Sequence, residues 1–121
     1  MAKRVMTVDD SKTMRDMVAF TLSSAGFQVS QAEDGKKALV LLATNPVDVL
    51  ITDLNMPVMD GVALIRAVRS DPKWRRLPIL MLTTESDANK KAEGKNAGAT
   101  GWLVKPFNPE KLVEVVNRVC V

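Results

Sequence analysis

Val47-Asp48-Val49-Leu50-Ile51-Thr52 is a short apolar run, and Asp53 follows it directly. Short runs rich in valine, isoleucine and leucine are typical of strands that are buried on both faces of a parallel sheet. Four other segments are similarly short and apolar. We therefore predict five strands, over residues 4–8, 27–31, 47–52, 77–82 and 100–104.

Segments with helical periodicity separate these strands. In the first, apolar residues recur from Met14 to Ala25, and Gly26 follows where a helix C-cap is expected. The last has the best start signal, because Asn108 is a favoured cap and Pro109 fits the first helical position. Between them we predict a second helix about Leu41 that ends at Asn45-Pro46, a third from Gly61 to near Asp71-Pro72, and a fourth over about residues 88–97.

Alternation of strands and helices, with right-handed crossovers, predicts a doubly wound α/β sheet covered on both faces. Binding sites in such folds lie at the carboxyl ends of the strands. The fourth helix is the weakest, because it has a short alanine face and contains Gly94, which costs about 1 kcal/mol relative to alanine in a helix interior. We expect it to be the most easily displaced.

The composition excludes several classes of protein. The chain has 121 residues, 46% of them hydrophobic, which fits one folded domain. Its apolar runs are far shorter than the roughly 20 residues of a membrane span, and its first residues do not form the apolar region of a signal peptide. We therefore expect a cytoplasmic protein. With no histidine and only Cys120, it lacks the ligands of a Cys/His zinc site and the base of a Ser-His-Asp triad. The net charge of +3 is too small to indicate a nucleic-acid partner.

Polar side chains collect at the predicted carboxyl ends of the strands. Asp9 and Asp10 follow the first strand, Asp53 the third, Thr83 the fourth and Lys105 the fifth. Three carboxylates close together repel one another unless a cation lies among them. Oxygen ligands with room for water suit Mg²⁺, with Mn²⁺ as the next choice, and no calcium-loop spacing is present.

An aspartate can attack phosphorus and form an acyl phosphate, which a metal ion, an ammonium group and a hydroxyl donor would stabilise. Asp53, Lys105 and Thr83 fit these three roles. Each residue also has an ordinary explanation: an aspartate pair caps helices, a lone lysine is usually a solvated charge, and a threonine often closes a turn. Their joint position at one edge of the sheet favours a functional site.

Four motifs in this order resemble the receiver domains of two-component response regulators, especially the stand-alone chemotaxis regulators of the CheY type. They are Val8-Asp9-Asp10-Ser11, the run Asp53-Leu54-Asn55-Met56-Pro57-Val58-Met59-Asp60-Gly61, Leu82-Thr83-Thr84, and Val104-Lys105-Pro106-Phe107. The resemblance covers the whole chain as one receiver domain, residues 1–121. It implies a flavodoxin-like (βα)5 fold with strand order 2-1-3-4-5, and phosphoryl transfer to Asp53 from a phosphohistidine on a CheA-like sensor kinase.

The same resemblance implies a ligand set for Mg²⁺. Asp10, Asp53 and the backbone carbonyl of Asn55 would bind the ion directly, and Asp9 would act mainly through water. Asn55 and Glu85 would tune dephosphorylation.

The resemblance also implies how the site changes on phosphorylation. Lys105 would contact the phosphoryl oxygens, and the peptide bond before Pro106 would be cis. Thr83 would swing towards the phosphoryl group, and the aromatic ring at Trp102 would turn inward. The family usually has tyrosine or phenylalanine there, so the bulkier indole leaves open whether a full rotation occurs.

We expect the output surface to be formed by the fourth helix, the fifth strand and the fifth helix, and to be marked by Lys90, Lys91, Lys95 and Trp102. A basic surface with a tryptophan suits an acidic amphipathic peptide, such as one from the flagellar motor switch, although a merely solvated lysine face is the alternative.

Because the chain ends at Val121, we expect no attached effector domain. A phosphatase is a further expected partner, and we expect a monomer that binds neither nucleic acid nor membrane.

Other functions stay open at this stage. An aspartate-dependent phosphatase would need a substrate cap and a second aspartate two residues after the nucleophile, where Asn55 stands. We therefore expect no turnover of free substrates. A receiver that binds partners without phosphorylation is disfavoured by the complete acidic set, and a phosphate sink for the kinase has the same residues as a messenger.

Overall fold

Five parallel strands form one sheet in the order β2-β1-β3-β4-β5. The computed structural model describes residues 3–84 and 88–120. The strands are β1 (Arg4–Val8), β2 (Gln28–Ala32), β3 (Val49–Asp53), β4 (Ile79–Thr83) and β5 (Gly101–Val104). The helices are α1 (Lys12–Ser24), α2 (Gly35–Thr44), α3 (Gly61–Ser70), α4 (Ala88–Ala97) and α5 (Pro109–Val119), with a 3₁₀ turn at Pro72–Trp74. The predicted α/β fold and strand order are confirmed.

Most strands begin later than the sequence predicted. β4 begins at Ile79 rather than at residue 77, because Pro78 has no N–H to donate to a neighbouring strand. β3 begins at Val49 rather than at residue 47, and β2 and β5 each begin one residue later than predicted. The strand ends shift as well, so that Asp53 and Thr83 are the last residues of β3 and β4 instead of the first residues after them.

Side chains cap four of the helices. Ser11, Asp34 and Asp60 each accept a hydrogen bond from a backbone N–H in the first turn of α1, α2 and α3. Asn108 does the same for α5, as the sequence predicted. Gly26 has a φ of 98°, a left-handed conformation that glycine adopts readily, and it turns the chain after α1. No helix in the described ranges is long and apolar enough to span a membrane.

Apolar side chains cover both faces of the sheet. One core lies between the sheet and helices α2 and α3, and contains Leu50, Leu64 and Met81. The other lies beneath α1 and α5, and contains Ile51, Leu22 and Leu112. Because β3 is buried throughout and lies in the centre of the sheet, Asp53 is held at the end of a strand that has neighbours on both sides.

Thr7, on β1, is fully buried, and its hydroxyl has no hydrogen-bond partner among the described residues. A buried hydroxyl without a partner is unfavourable, so we expect Thr7→Val to raise the free energy of unfolding by about 1 kcal/mol. Thr52 is the matched control, because it is equally buried but its hydroxyl donates to the Asp53 carbonyl oxygen at 2.7 Å. Thr52→Val should destabilise the fold in the same urea titration; a loss of stability in both variants would contradict this account.

Helix α4 meets the sheet at Gly94, and of the alanine face that the sequence predicted only Ala97 packs against the core. Ala88 and Ala92 are exposed, and Gly94 is the only buried residue of the helix. A Cβ atom at Gly94 would collide with the buried Met81 side chain on β4, so the missing side chain lets the helix approach the sheet. Alanine, which the sequence alone ranked as the better residue here, would force Met81 to move.

Candidate functional site

Three carboxylates meet at the carboxyl edge of the sheet. Asp9 follows β1, Asp10 follows Asp9, and Asp53 ends β3. One oxygen from each lies within 4.8 Å of the others. Asp9 and Asp53 are buried, whereas Asp10 is exposed. The structure therefore brings together the acidic side chains that the sequence predicted, with Asp10 nearest to solvent.

Lys105 reaches into this cluster from the end of β5. Its Nζ lies 3.0 Å from Asp53 Oδ1 and 3.3 Å from Asp9 Oδ2. Its backbone N–H donates to the Thr83 carbonyl oxygen at 2.7 Å, and the peptide bond to Pro106 is cis, as the resemblance implied. The ammonium group thus bridges the two buried carboxylates.

Burial and charge act in opposite directions on these groups. Burial raises the pKa of Asp9 above its usual value of 3.8; the backbone N–H of Ser11 lowers it, the Asp53 charge raises it and Lys105 lowers it. Burial alone would lower the pKa of Lys105, but its hydrogen bond to Asp53 and the two carboxylate charges outweigh burial and raise it. Lys105 therefore stays protonated, and Asp9 loses its proton at a higher pH than a free aspartate does.

We expect Asp9→Asn to raise the melting temperature at pH 7 in EDTA. The pKa of Asp9 is higher in the folded protein than its ordinary 3.8. The protonated side chain therefore stabilises the fold below pH 3.8, and this contribution is lost as the pH rises through the pKa that Asp9 has in the folded protein. Asparagine has no such loss, and its side-chain oxygen can still accept from Ser11, as Asp9 does at 2.9 Å. Thermal melts at pH 3.5 and pH 7 should show the difference only at pH 7. A melting temperature of the Asp9→Asn variant no higher than that of the wild type at pH 7 would refute this prediction.

Backbone contacts fix the orientation of Asp53. Its Oδ1 accepts from the Leu54 N–H at 2.9 Å, so this oxygen is shared with Lys105. Gly61 N–H donates to the Leu54 carbonyl oxygen at 3.0 Å and closes the loop between β3 and α3. A Cβ atom on Gly61 would collide with the Asp53 carbonyl oxygen, so α3 begins directly against the backbone of the acidic site.

Asn55, the predicted carbonyl ligand, lies exposed in the same loop. Thr83 is buried, and its hydroxyl donates to the Thr84 carbonyl oxygen at 3.0 Å. Its predicted movement towards a phosphoryl group remains a prediction. Glu85 lies outside the described residues.

Trp102 is 40% exposed on β5, and its ring lies under two ammonium groups from α4. The Nζ atoms of Lys91 and Lys95 are 4.5 Å and 4.8 Å from the ring centre. Lys90 is not part of this cluster, because its Nζ lies 3.6 Å from Asp60 and 3.8 Å from Glu93. Three of the four residues of the predicted output surface thus lie together.

The acidic cluster has the ligands that a hard divalent cation needs. Asp9, Asp10 and Asp53 offer only oxygen atoms, and the exposure of Asp10 leaves room for water. Carboxylates and water suit Mg²⁺ or Mn²⁺ rather than a thiolate- or imidazole-seeking metal. The residues present therefore fit a divalent ion of this class.

Sequence reasoning missed two contributors to this site. Arg15 on α1 donates through Nη1 to the carbonyl oxygen of Asp9, which holds the turn after β1. Nothing in the local sequence signals that contact. Gly61 was interpreted only as a helix start, although a glycine directly after an aspartate cap and close to a buried strand is a signal for close backbone approach.

The chain belongs to the response regulator receiver domain family, whose model matches residues 5–117. The resemblance found in the motifs is therefore confirmed, and the relatives are chemotaxis regulators of the CheY type. Chemotaxis protein CheY of Pseudomonas aeruginosa is 39% identical over 117 residues, which cover 96% of this chain and 94% of that protein. Chemotaxis protein CheY1 of Helicobacter pylori is 42% identical over 118 residues, covering 96% and 95%.

Solved structures give the same result. Chemotaxis response regulator CheY4 of Vibrio cholerae superposes with a TM-score of 0.92 at 50% identity, covering 98% of this chain and 99% of that one. A putative response regulator from Chloroflexus aurantiacus superposes with a TM-score of 0.95 at 38% identity, covering 99% and 98%. This chain is thus a CheY-like receiver in both sequence and fold.

Proposed function

We propose that this protein accepts a phosphoryl group on Asp53 from a CheA-like histidine kinase, in a reaction that needs Mg²⁺, and signals by binding a partner in its phosphorylated form. The observation that supports this most directly is the contact of Lys105 Nζ with Asp53 Oδ1, 3.0 Å apart within a cluster of three carboxylates. An ammonium group beside a buried carboxylate can offset the negative charge of an incoming phosphoryl group.

The chemistry is one displacement at phosphorus. A carboxylate oxygen of Asp53 attacks the phosphorus, the P–N bond to the donor imidazole breaks, and its electron pair leaves with the imidazole. Bound Mg²⁺ supplies charge neutralisation at the phosphoryl oxygens. Asp10, Asp53 and the Asn55 carbonyl would hold the ion, with Asp9 acting through water. Lys105, already positioned by Asp9 and Asp53, would contact the transferred group.

Signalling follows from the added charge. A phosphoryl group brings close to two negative charges and three acceptor oxygens, which would draw the hydroxyl of Thr83 and the ammonium of Lys105 inward. Trp102, the aromatic residue of β5, would respond to the space that Thr83 vacates. Asn55 and Glu85 would tune the rate at which water hydrolyses the phosphoryl group from Asp53. A phosphatase would be the partner that assists this hydrolysis.

The output surface would be the one formed by α4, β5 and α5. Lys91 and Lys95 lie over Trp102, and this cationic surface with an aromatic centre suits an acidic amphipathic peptide. Relatives named as chemotaxis proteins favour the flagellar motor switch as the source of that peptide. In this role the protein acts as a cytoplasmic monomer, a receiver domain over residues 1–121, without turnover of free substrates.

Intact-mass measurement after incubation with acetyl phosphate tests the proposal. The wild type is expected to gain the mass of one phosphoryl group with Mg²⁺ and none with EDTA. Uptake that persists in EDTA would contradict the metal requirement. No uptake by a folded protein would favour a receiver that binds its partners without phosphorylation.

A phosphate sink that drains the kinase is the second candidate, because it would use the same residues around Asp53. A pull-down with the N-terminal peptide of the motor switch protein, with and without acetyl phosphate, separates the two roles. A messenger gains affinity for the peptide on phosphorylation, whereas a sink shows no gain.

A further inference from the structure

Arg15 braces the turn that carries Asp9 and Asp10. It is the fourth residue of α1 and is half-buried, and its Nη1 donates to the carbonyl oxygen of Asp9. Its Nε donates to Gln31 Oε1 on β2 at 3.3 Å. The planar guanidinium therefore ties the turn after β1 both to the helix that follows it and to the neighbouring strand.

The contact falls on the peptide group that joins Asp9 to Asp10. The N–H of Asp9 donates to the Ala32 carbonyl oxygen at 3.1 Å, and the N–H of Ser11 donates to Asp9 Oδ1 at 2.9 Å. Because Arg15 binds the carbonyl oxygen of Asp9, the backbone of this residue is held on both sides. Three hydrogen bonds made by its neighbours thus fix the course of the main chain at Asp10.

Asp10 depends on this backbone more than the other two carboxylates do. The side chains of Asp9 and Asp53 each accept from a backbone N–H and contact the Lys105 ammonium group. Asp10 is exposed, and no residue in the described part of the chain donates to its carboxylate. One of its oxygens still lies within 4.8 Å of the other two carboxylates. The main chain that Arg15 braces is therefore what places this oxygen in the cluster.

We infer that Arg15 is a positioning residue for the divalent cation: by binding the Asp9 carbonyl oxygen, it holds Asp10 where its carboxylate can serve as a ligand together with Asp53. This inference rests on the proposed function, in which Asp10 binds Mg²⁺ directly. Residues that orient metal ligands without touching the metal commonly contribute about tenfold or more to affinity. The charge of Arg15 alone would have the opposite effect, because a positive group near the site repels a metal ion.

Two matched substitutions separate positioning from charge. Arg15→Met removes the guanidinium group. Lys12→Met removes a positive charge from the same helix without touching the turn, since Lys12 Nζ pairs with Asp16 at 2.8 Å. Methionine is a good helix former, so α1 should be preserved in both variants. Loss of charge alone would strengthen cation binding in both, whereas loss of positioning would weaken it in Arg15→Met only.

The measurement is the dissociation constant of Mn²⁺, obtained from the free-ion signal in electron paramagnetic resonance, with Mg²⁺ then titrated in as the competitor. We expect Arg15→Met to bind both ions about tenfold more weakly than the wild type, and Lys12→Met to bind them at least as tightly as the wild type. An affinity of Arg15→Met equal to or above that of the wild type would overturn the inference. Arg15→Ala, with the same expected loss, replaces the methionine variant if circular dichroism shows that the latter does not fold.

A double-mutant cycle tests whether Arg15 acts through Asp10. Asp10→Asn alone should weaken Mn²⁺ binding, and adding Arg15→Met should cause little further loss, because the anionic ligand that Arg15 positions is already gone. A further loss of about tenfold in the double variant would show that Arg15 acts elsewhere in the fold and would overturn the inference. Wild-type affinity in Asp10→Asn would remove Asp10 from the ligand set and overturn it as well.

Phosphoryl uptake by the wild type distinguishes failure of the inference from failure of the proposed function. If acetyl phosphate and Mg²⁺ phosphorylate the wild type while Arg15→Met binds Mn²⁺ as tightly as the wild type, only the inference fails. If the variants follow the expected pattern but the wild type gains no phosphoryl mass, the inference stands and the acceptor role of Asp53 fails. A wild type that binds neither ion overturns both.

Discussion

Asp53→Asn is expected to abolish the mass gain from acetyl phosphate, a loss larger than any other single change at the site should cause. The amide lacks the anionic oxygen that attacks phosphorus, and Lys105 Nζ, 3.0 Å away, would no longer pair with a charge at this position. Asparagine keeps the size of the side chain and an oxygen that can accept from the Leu54 N–H, so the fold should survive. Intact-mass spectrometry in excess Mg²⁺ gives the result directly.

Asp60→Asn is the matched control for that substitution. Asp60 lies in the same loop and caps α3, a task that asparagine performs equally well, and it is not one of the clustered carboxylates. This variant should take up one phosphoryl group as the wild type does. Uptake by the Asp53 variant at the wild-type rate, with the group mapped to another residue, would move the acceptor away from Asp53.

Gly61→Ala is expected to destabilise the protein by about 3 kcal/mol, at the upper end of what overpacking causes. The added Cβ atom would collide with the carbonyl oxygen of Asp53 and with Leu54 Cα, and backbone atoms yield less readily than a flexible side chain. The melting temperature should fall by roughly 10 °C. If the variant folds, displacement of Asp53 should also slow phosphoryl uptake.

Gly101→Ala provides the comparison for Gly61. A Cβ atom at Gly101 would meet only the tip of the Leu80 side chain, at 3.4 Å, so the change in stability should be small. Circular dichroism melts of both variants under one condition are sufficient. Equal effects at the two positions would show that backbone approach at Gly61 is not what limits substitution there.

The sheet was predictable because its signal is local. Each strand is a short apolar run, and the runs alternate with helical periodicity, which restricts the topology to a few possibilities. Strand boundaries were less predictable, because they depend on pairing: Leu50 N–H donates to the Pro78 carbonyl oxygen, a partner 28 positions away in the sequence that no local pattern reveals.

The acidic cluster was also predictable, since the rule that parallel strands present their carboxyl ends at one edge converts positions in the sequence into proximity. The fit of α4 on the sheet was not. Gly94 is a poor helix former by propensity, yet its value lies in a contact with Met81 that exists only once the strand and helix are assembled. The position of Lys90 beside Asp60 is likewise a tertiary contact between α4 and the cap of α3.

The position of β5 at the end of the sheet has a consequence for behaviour at high protein concentration. An edge strand exposes backbone groups that can pair with a strand of another molecule and start aggregation. β5 is only four residues long, and the ammonium groups of Lys91 and Lys95 lie over its one aromatic side chain. A short edge flanked by like charges is a poor template for a further strand, so we expect β5 to resist pairing with the same strand of another copy of the protein.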